Sequence, residues 1–227
     1  MKALILGGGT PLSKDQLIFL LGEGYSCVVA ADAGAETARA LHLSPSAVIG
    51  DFDSIQPNTL AHCRRQKDCE VIHLPRQTDS DVEKCLEFLE GKGCTSCVLC
   101  GVTGDRLDHG LASLALLLRW SLKMHLALFA GKSVIEVVRG GISFKTTPRT
   151  TISLFGFSAE TYIRSEGLEY PLRDEALNFG EREGLSNAAL GDSVRLMVRG
   201  GGVYVVRDFQ EVTRYGFIVC AGEGSGS

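Results

Sequence analysis

A change of period near its middle constrains this chain most. Through the first 130 residues short apolar runs alternate with amphipathic stretches, and after Gly131 only short β-branched runs between glycine-rich turns remain. The apolar runs of the first part, expected as strands, are residues 2–6, 26–30, 47–49, 70–73, 96–100 and 125–129. Between them lie amphipathic stretches expected as helices at residues 14–21, 35–41, 58–65, 79–89 and 107–121. Runs apolar on both faces belong to strands covered on both sides. Strand–helix alternation in turn implies right-handed crossovers and a largely parallel sheet. The second part offers strands at 133–138, 141–145, 150–154, 160–163, 192–198 and 202–206, with Arg139-Gly140-Gly141 and Arg199-Gly200-Gly201-Gly202 read as hairpin connections. The expectation is an α/β N-terminal domain over 1–131, a C-terminal all-β sandwich over 132–220, and a disordered tail over 221–227.

Composition narrows the function. A formal net charge of -4 over 227 residues gives no electrostatic reason to bind nucleic acid or an anionic membrane. The most apolar helical stretch, residues 111–118, is broken by Arg119 and is too short to cross a bilayer. Met1-Lys2 leads directly into a strand pattern rather than a secretory core, so a cytoplasmic protein is expected. Of eight cysteines, Cys94, Cys97 and Cys100 have a spacing that iron–sulfur and zinc sites use. On a strand, however, Cys97 and Cys100 point to opposite faces. Reduced thiols used for packing are the simpler reading.

In an open parallel sheet, ligands collect beyond the carboxyl ends of the strands. Gly7-Gly8-Gly9-Thr10 follows the first strand, and its backbone at Gly8 and Gly9 suits close approach to a phosphate. Asp32 follows the second strand, Asp51-Phe52-Asp53-Ser54 the third, Gln77-Thr78-Asp79-Ser80-Asp81 the fourth, and Asp105-Arg106-Leu107-Asp108-His109 the fifth. Singly, Asp32 and Asp79 read equally well as helix caps, and Asp81 and Asp105 as favourable charges at helix starts. Together they crowd carboxylates at one edge, which raises their pKa values unless a cation compensates. Magnesium prefers such oxygens together with phosphate. Asp51 and Asp53, two apart in an extended segment, would share a face.

Taken as an ordered set, Asp32-Ala33-Gly34, Gly50-Asp51-Phe52-Asp53-Ser54, Thr78-Asp79, Gly101 through His109, Glu166 through Leu172 and Ser186-Asn187 resemble the bacterial-type thiamine pyrophosphokinases. The chain departs from that family's usual pattern at Ala33, Asp105 and Ala188. The resemblance implies transfer of pyrophosphate from ATP to thiamine in a homodimer, with thiamine between subunits. It implies Mg2+ on Asp51, Asp53 and Asp79, with Arg106 and Asp108 as further catalytic residues. Gly8, Gly9, Asp32, Gln77 and Thr78 would lie at ATP, and Ser186 and Asn187 at thiamine. Two rival expectations are a pyrophosphokinase for a hydroxymethyl-dihydropterin acceptor and a silent sensor of thiamine or nucleotide.

Overall fold

The structure, a computed structural model, describes residues 1–218, in two compact units that divide after Gly131. The expected tail at 221–227 lies outside the described residues.

The first unit is built on six parallel strands: β1 (Lys2–Leu6), β2 (Cys27–Ala31), β3 (Ala47–Gly50), β4 (Glu70–His73), β5 (Ser96–Cys100) and β6 (His125–Ala130). Their spatial order is β6-β5-β1-β2-β3-β4. The chain winds outward from β1 through β4, then returns to the other side of β1 to lay down β5. Crevices open where winding reverses in this way, and here the reversal falls between β1 and β5. Leu4, Ile5, Leu6, Ile49 and Leu99 are fully buried on these strands, as their unbroken apolar character requires. The helices are α1 (Lys14–Gly22), α2 (Gly34–Ala40), α3 (Pro57–Arg65), α4 (Asp81–Gly91) and α5 (Leu107–Trp120). A capping box between Ser13 and Gln16 starts α1. The fourth helix starts later than expected, because Ser80 caps it by accepting the Glu83 N–H. Asp79 is thereby left in the preceding loop. Among the described residues no helix is long and apolar enough to cross a membrane.

The second unit is β7 (Ser133–Lys145), β8 (Thr151–Gly156), β9 (Tyr162–Glu166), β10 (Arg173–Ala176), β11 (Gly184–Ala188), β12 (Ser193–Asp208) and the short helix α6 (Phe209–Tyr215). It corrects the two expected hairpins. Residues 133–138 and 141–145 form one strand, and the expected strands at 192–198 and 202–206 merge, from Ser193 on, into another, paired antiparallel along their length. The glycines form a bulge where register shifts between Val198 and Val203, with Gly140 and Gly200 both in the left-handed region. A Cβ on Gly200 would lie 1.9 Å from the Glu160 carbonyl oxygen, so no other residue fits without displacing that backbone. Before the bulge β12 takes β9 on its free edge; after it, β8. The two halves of the long ribbon thus belong to two faces of one core, which includes Ile142, Ile152, Leu154, Ile163, Leu196 and Val205. A buried pair, Arg207 to Glu136 at 2.6 Å, also holds the end of the described chain: Glu136 accepts the Ile218 N–H at 2.7 Å, and Arg207 donates to the Gly216 carbonyl.

Cys97 and Cys100 are buried on β5, and burial pushes both thiols up. Metal sites and thiol chemistry both need thiolates. The purified protein is therefore expected to hold no stoichiometric iron or zinc. Elemental analysis finding about one metal per chain, lost on replacing Cys94, Cys97 and Cys100, would reverse this.

Candidate active site

A cleft of about 1060 Å³ opens at the carboxyl ends of the strands of the first unit. One wall is two loops joined backbone to backbone, the one after β1 and the one after β5. The Gly7 N–H donates to Cys100 O at 2.8 Å, Gly9 N–H to Gly101 O at 2.6 Å and Thr10 N–H to Thr103 O at 2.7 Å. A Cβ on Gly9 would meet Thr103 O at 2.3 Å. The glycine run is therefore required by this close approach. Gly8 and Gly9 do line the cleft, but the Gly9 N–H is already engaged and is not free for a phosphate.

The floor is acidic. Asp32 follows β2 at φ 43° with its N–H bonded to Ile49 O, and its side chain is only 5% exposed. One carboxylate oxygen accepts the Ser54 N–H at 3.1 Å, while the other, Oδ1, is buried without a hydrogen-bond partner. Burial pushes this carboxyl up, and the charges of Asp81, Asp53 and Asp51 push it further against the Ser54 hydrogen bond. Between Asp51 and Asp53 the backbone is not extended: Phe52 sits at φ 64°. Its ring packs on a core patch that includes Ala35, Val48, Ile55 and Cys63, and stacks with His73 at 5.4 Å between centroids. An apolar anchor thus fixes a tight turn whose two flanking carboxylates stay in the cleft. Gln77 Nε2 donates to Asp51 at 2.7 Å, which chiefly holds that carboxyl below its ordinary range. Ser54 Oγ donates to Asp53 at 2.7 Å. One oxygen each from Asp32, Asp51 and Asp53 falls within 4.8 Å of the other two, close enough to share one cation.

The loop after β4 differs from expectation. Thr78 lines the cleft, but its hydroxyl donates to Asp79 at 3.0 Å. Asp79 also lines the cleft, with Arg76 2.7 Å from its Oδ2; of the expected set, Asp51 and Asp53 group with Asp32, and Asp79 stands outside that group. A salt-bridged carboxylate has its charge already compensated. Asp81, read from sequence only as a helix-start charge, lies closer to the floor. A Cβ on Gly50 would be 3.0 Å from Asp32 Cβ and 3.3 Å from Asp81 Cγ, so the two carboxylates flank that glycine. Asp81 is also the first of the charges that raise Asp32. Beside it lies Lys84, 3% exposed, with Nζ donating to Asp81 at 2.8 Å and to Leu74 O at 2.9 Å.

At the rim, Arg106 makes a two-pronged pair with Asp108, at 2.6 and 3.2 Å. That pairing holds the Asp108 carboxyl down, so while paired it is a weak proton acceptor. In the second unit Ser186 is exposed, in a left-handed conformation at the irregularity between β11 and β8, with its N–H on Ser153 Oγ. Asn187 is 4% exposed, and its amide is held by backbone groups: Oδ1 accepts the Tyr170 and Ala188 N–H groups, and Nδ2 donates one of its two hydrogens to Tyr170 O at 2.7 Å. Asn187 therefore shapes the 167–172 turn, and one Nδ2 hydrogen lies outside these bonds.

A divalent oxygen-seeking cation fits the acidic floor. The unpartnered Asp32 oxygen, and the Asp32 carboxyl raised by burial and by the carboxylates around it, are the features such an ion relieves. With phosphates as further ligands, this arrangement suits phosphoryl-group chemistry.

Comparison with known proteins agrees with both units. The family model described as thiamin pyrophosphokinase, catalytic domain, matches residues 20–129, and the thiamin pyrophosphokinase vitamin B1 binding domain matches residues 141–201. Thiamin pyrophosphokinase 1 of Caenorhabditis elegans is 31% identical over 164 residues, or 67% of this chain. The match spans 65% of that relative, just under two thirds of its length. Among solved structures, thiamine pyrophosphokinase from Bacillus subtilis superposes with a TM-score of 0.77 at 20% identity, covering 92% of this chain and 99% of that one. The yeast thiamin pyrophosphokinase gives 0.78 at 15% identity, over 94% and 88%. At these identities the structural likeness speaks for the fold.

Proposed function

Because the chain belongs to the thiamin pyrophosphokinase family, we propose that it transfers a pyrophosphoryl group from ATP to the hydroxyl of thiamine, releasing AMP. The observation that carries this reading is the Asp32, Asp51 and Asp53 group at the carboxyl ends of β2 and β3, in which Asp32 has a buried oxygen without a hydrogen-bond partner. Bound there, Mg2+ would neutralise phosphate oxygens as charge shifts onto the leaving AMP. The chain's own residues do the positioning. Phe52 fixes the turn that presents Asp51 and Asp53, and Gln77 orients Asp51. Gln77 and Thr78 stand at the lip where the ATP phosphates would enter. Arg106 offers a planar fork to a phosphate oxygen once it exchanges its present partner. Asp108, kept ionised, suits orienting the acceptor hydroxyl better than removing its proton. Release of AMP from ATP, measured with thiamine, with a hydroxymethyl pterin and without acceptor, tests the assignment. Thiamine-dependent AMP release supports it, and equal release in all three arms would reduce the protein to a hydrolase.

We further infer a homodimer in the cytoplasm that completes each cleft with the partner's Ser186 segment. Apolar residues on both surfaces support this. Leu107, Leu111 and Leu122 are 75%, 56% and 72% exposed at or just beyond α5, and Leu185 and Leu190 are 68% and 67% exposed around Ser186. The seven described cysteines are free, in keeping with a reducing compartment. Mixing an inactive Asp53→Asn chain with an inactive Leu185→Asp chain should regain about a quarter of wild-type activity, since half of the dimers are mixed and each has one intact site. Mixed dimers that form, as read by differential tags, but stay inactive would mean that each site is built within one chain.

A further inference from the structure

The buried face of α4 is apolar at Cys85, Leu86 and Leu89 but carries one ammonium, Lys84. Lysines are rarely buried this deeply unless paired. Its two acceptors are the Leu74 carbonyl, just past β4, and the Asp81 carboxylate, in the first turn of α4. Lys84 thus ties together the two ends of the loop that carries Gln77 and Asp79. It also puts a fixed positive charge beside a floor where Asp81, Asp53 and Asp51 all raise Asp32.

We propose that Lys84 is a positioning residue that acts through Asp81: its ammonium fixes that carboxylate at the cleft floor and compensates the acidic group until a divalent cation arrives. The inference rests on the reading that the floor takes such a cation. Lys84 and the cation then perform overlapping electrostatic work. Losing the lysine should matter most in the metal-free protein and least in the loaded one. A lysine needed only for packing, or for its bond to Leu74, would matter equally in both.

The full-length chain, its Lys84→Met variant and the Lys84→Met/Asp81→Asn double variant should be melted in EDTA and in magnesium chloride, without nucleotide. In EDTA, Lys84→Met should lower Tm by roughly 6 °C or more, the scale of breaking a buried ion pair in a chain of this size. Magnesium should return at least half of that loss, because an ion bound only by the folded state stabilises it. The double variant should also regain at least half in EDTA, since it no longer leaves a half-buried carboxylate without its cation. A Tm loss equal in EDTA and magnesium, or one that simply adds in the double variant, would overturn the proposal. If Lys84→Met does not fold, folding of the double variant supports it and failure of both overturns it. Wild-type melting insensitive to magnesium would sink the cation reading itself and the inference with it. A magnesium shift in the wild type that Lys84→Met repeats unchanged would sink the lysine inference alone.

Discussion

Asp51→Asn and Asp53→Asn are each expected to give a folded protein whose turnover with ATP and thiamine falls at least about 100-fold, the scale of losing one charge-stabilising group from a transition state. Both carboxylates converge with Asp32 on one centre, and the turn that carries them is anchored by Phe52 rather than by the carboxylates themselves. Neutralising either one therefore removes an ion ligand without loosening the loop. Asp81→Asn should fall comparably, because Asp81 flanks Gly50 together with Asp32. Asp79→Asn should lose less than about tenfold, since the charge it gives up faces Arg76 and lies outside the three-carboxylate group. Turnover at fixed magnesium, with circular dichroism to confirm folding, decides among them. A large loss in Asp79→Asn beside near-normal Asp81→Asn would give the ligand role back to Asp79.

Asn187→Ala should behave as a stability variant before it behaves as a substrate variant. The buried amide serves three backbone groups, the Tyr170 N–H and C=O and the Ala188 N–H. Truncation strands them, at a cost of roughly 2–4 kcal/mol. The urea midpoint should fall accordingly, thiamine use should weaken as the turn at 167–172 loosens, and ATP affinity should hold. A normal midpoint combined with poor thiamine use would instead mean that Asn187 meets the substrate directly.

The first unit was legible because period alone separates a strand covered on both faces from an amphipathic helix; β1, β4 and β5 fall where their apolar runs begin and end. The long ribbon of β7 and β12 was not, because paired glycines serve both a two-residue hairpin and a bulge. What separates the two is the Glu160–Thr161 backbone pressed against Gly200 and Gly201, a contact between residues forty apart. The acidic edge was legible as a set, since the ends of β2, β3, β4 and β5 are each followed by a carboxylate. How the carboxylates group was not. Asp79 and Asp81 both line the cleft; Ser80 caps α4, which leaves Asp79 in the loop beside Arg76 and places Asp81 in the first turn beside Lys84. Lys84 was missed because a lysine in an amphipathic helix ordinarily marks the wet side. The backbone partners of Asn187 were not legible either, because such bonds leave no trace in residue type.

The wall formed by the loops after β1 and β5 limits how such a cleft can diverge. Where a Cβ at position 9 has no room and position 34 would drive one to 1.8 Å from Leu6 O, the local alphabet shrinks to glycine. At these positions the wall offers only backbone, identical in whatever descendant keeps the fold. Drift in what the cleft accepts must be written on the facing side, in the Gln77–Asp79 loop and the start of α5, where side chains project and alternatives fit. The rigid wall acts as a ruler, and selectivity can evolve only on the surface that faces it.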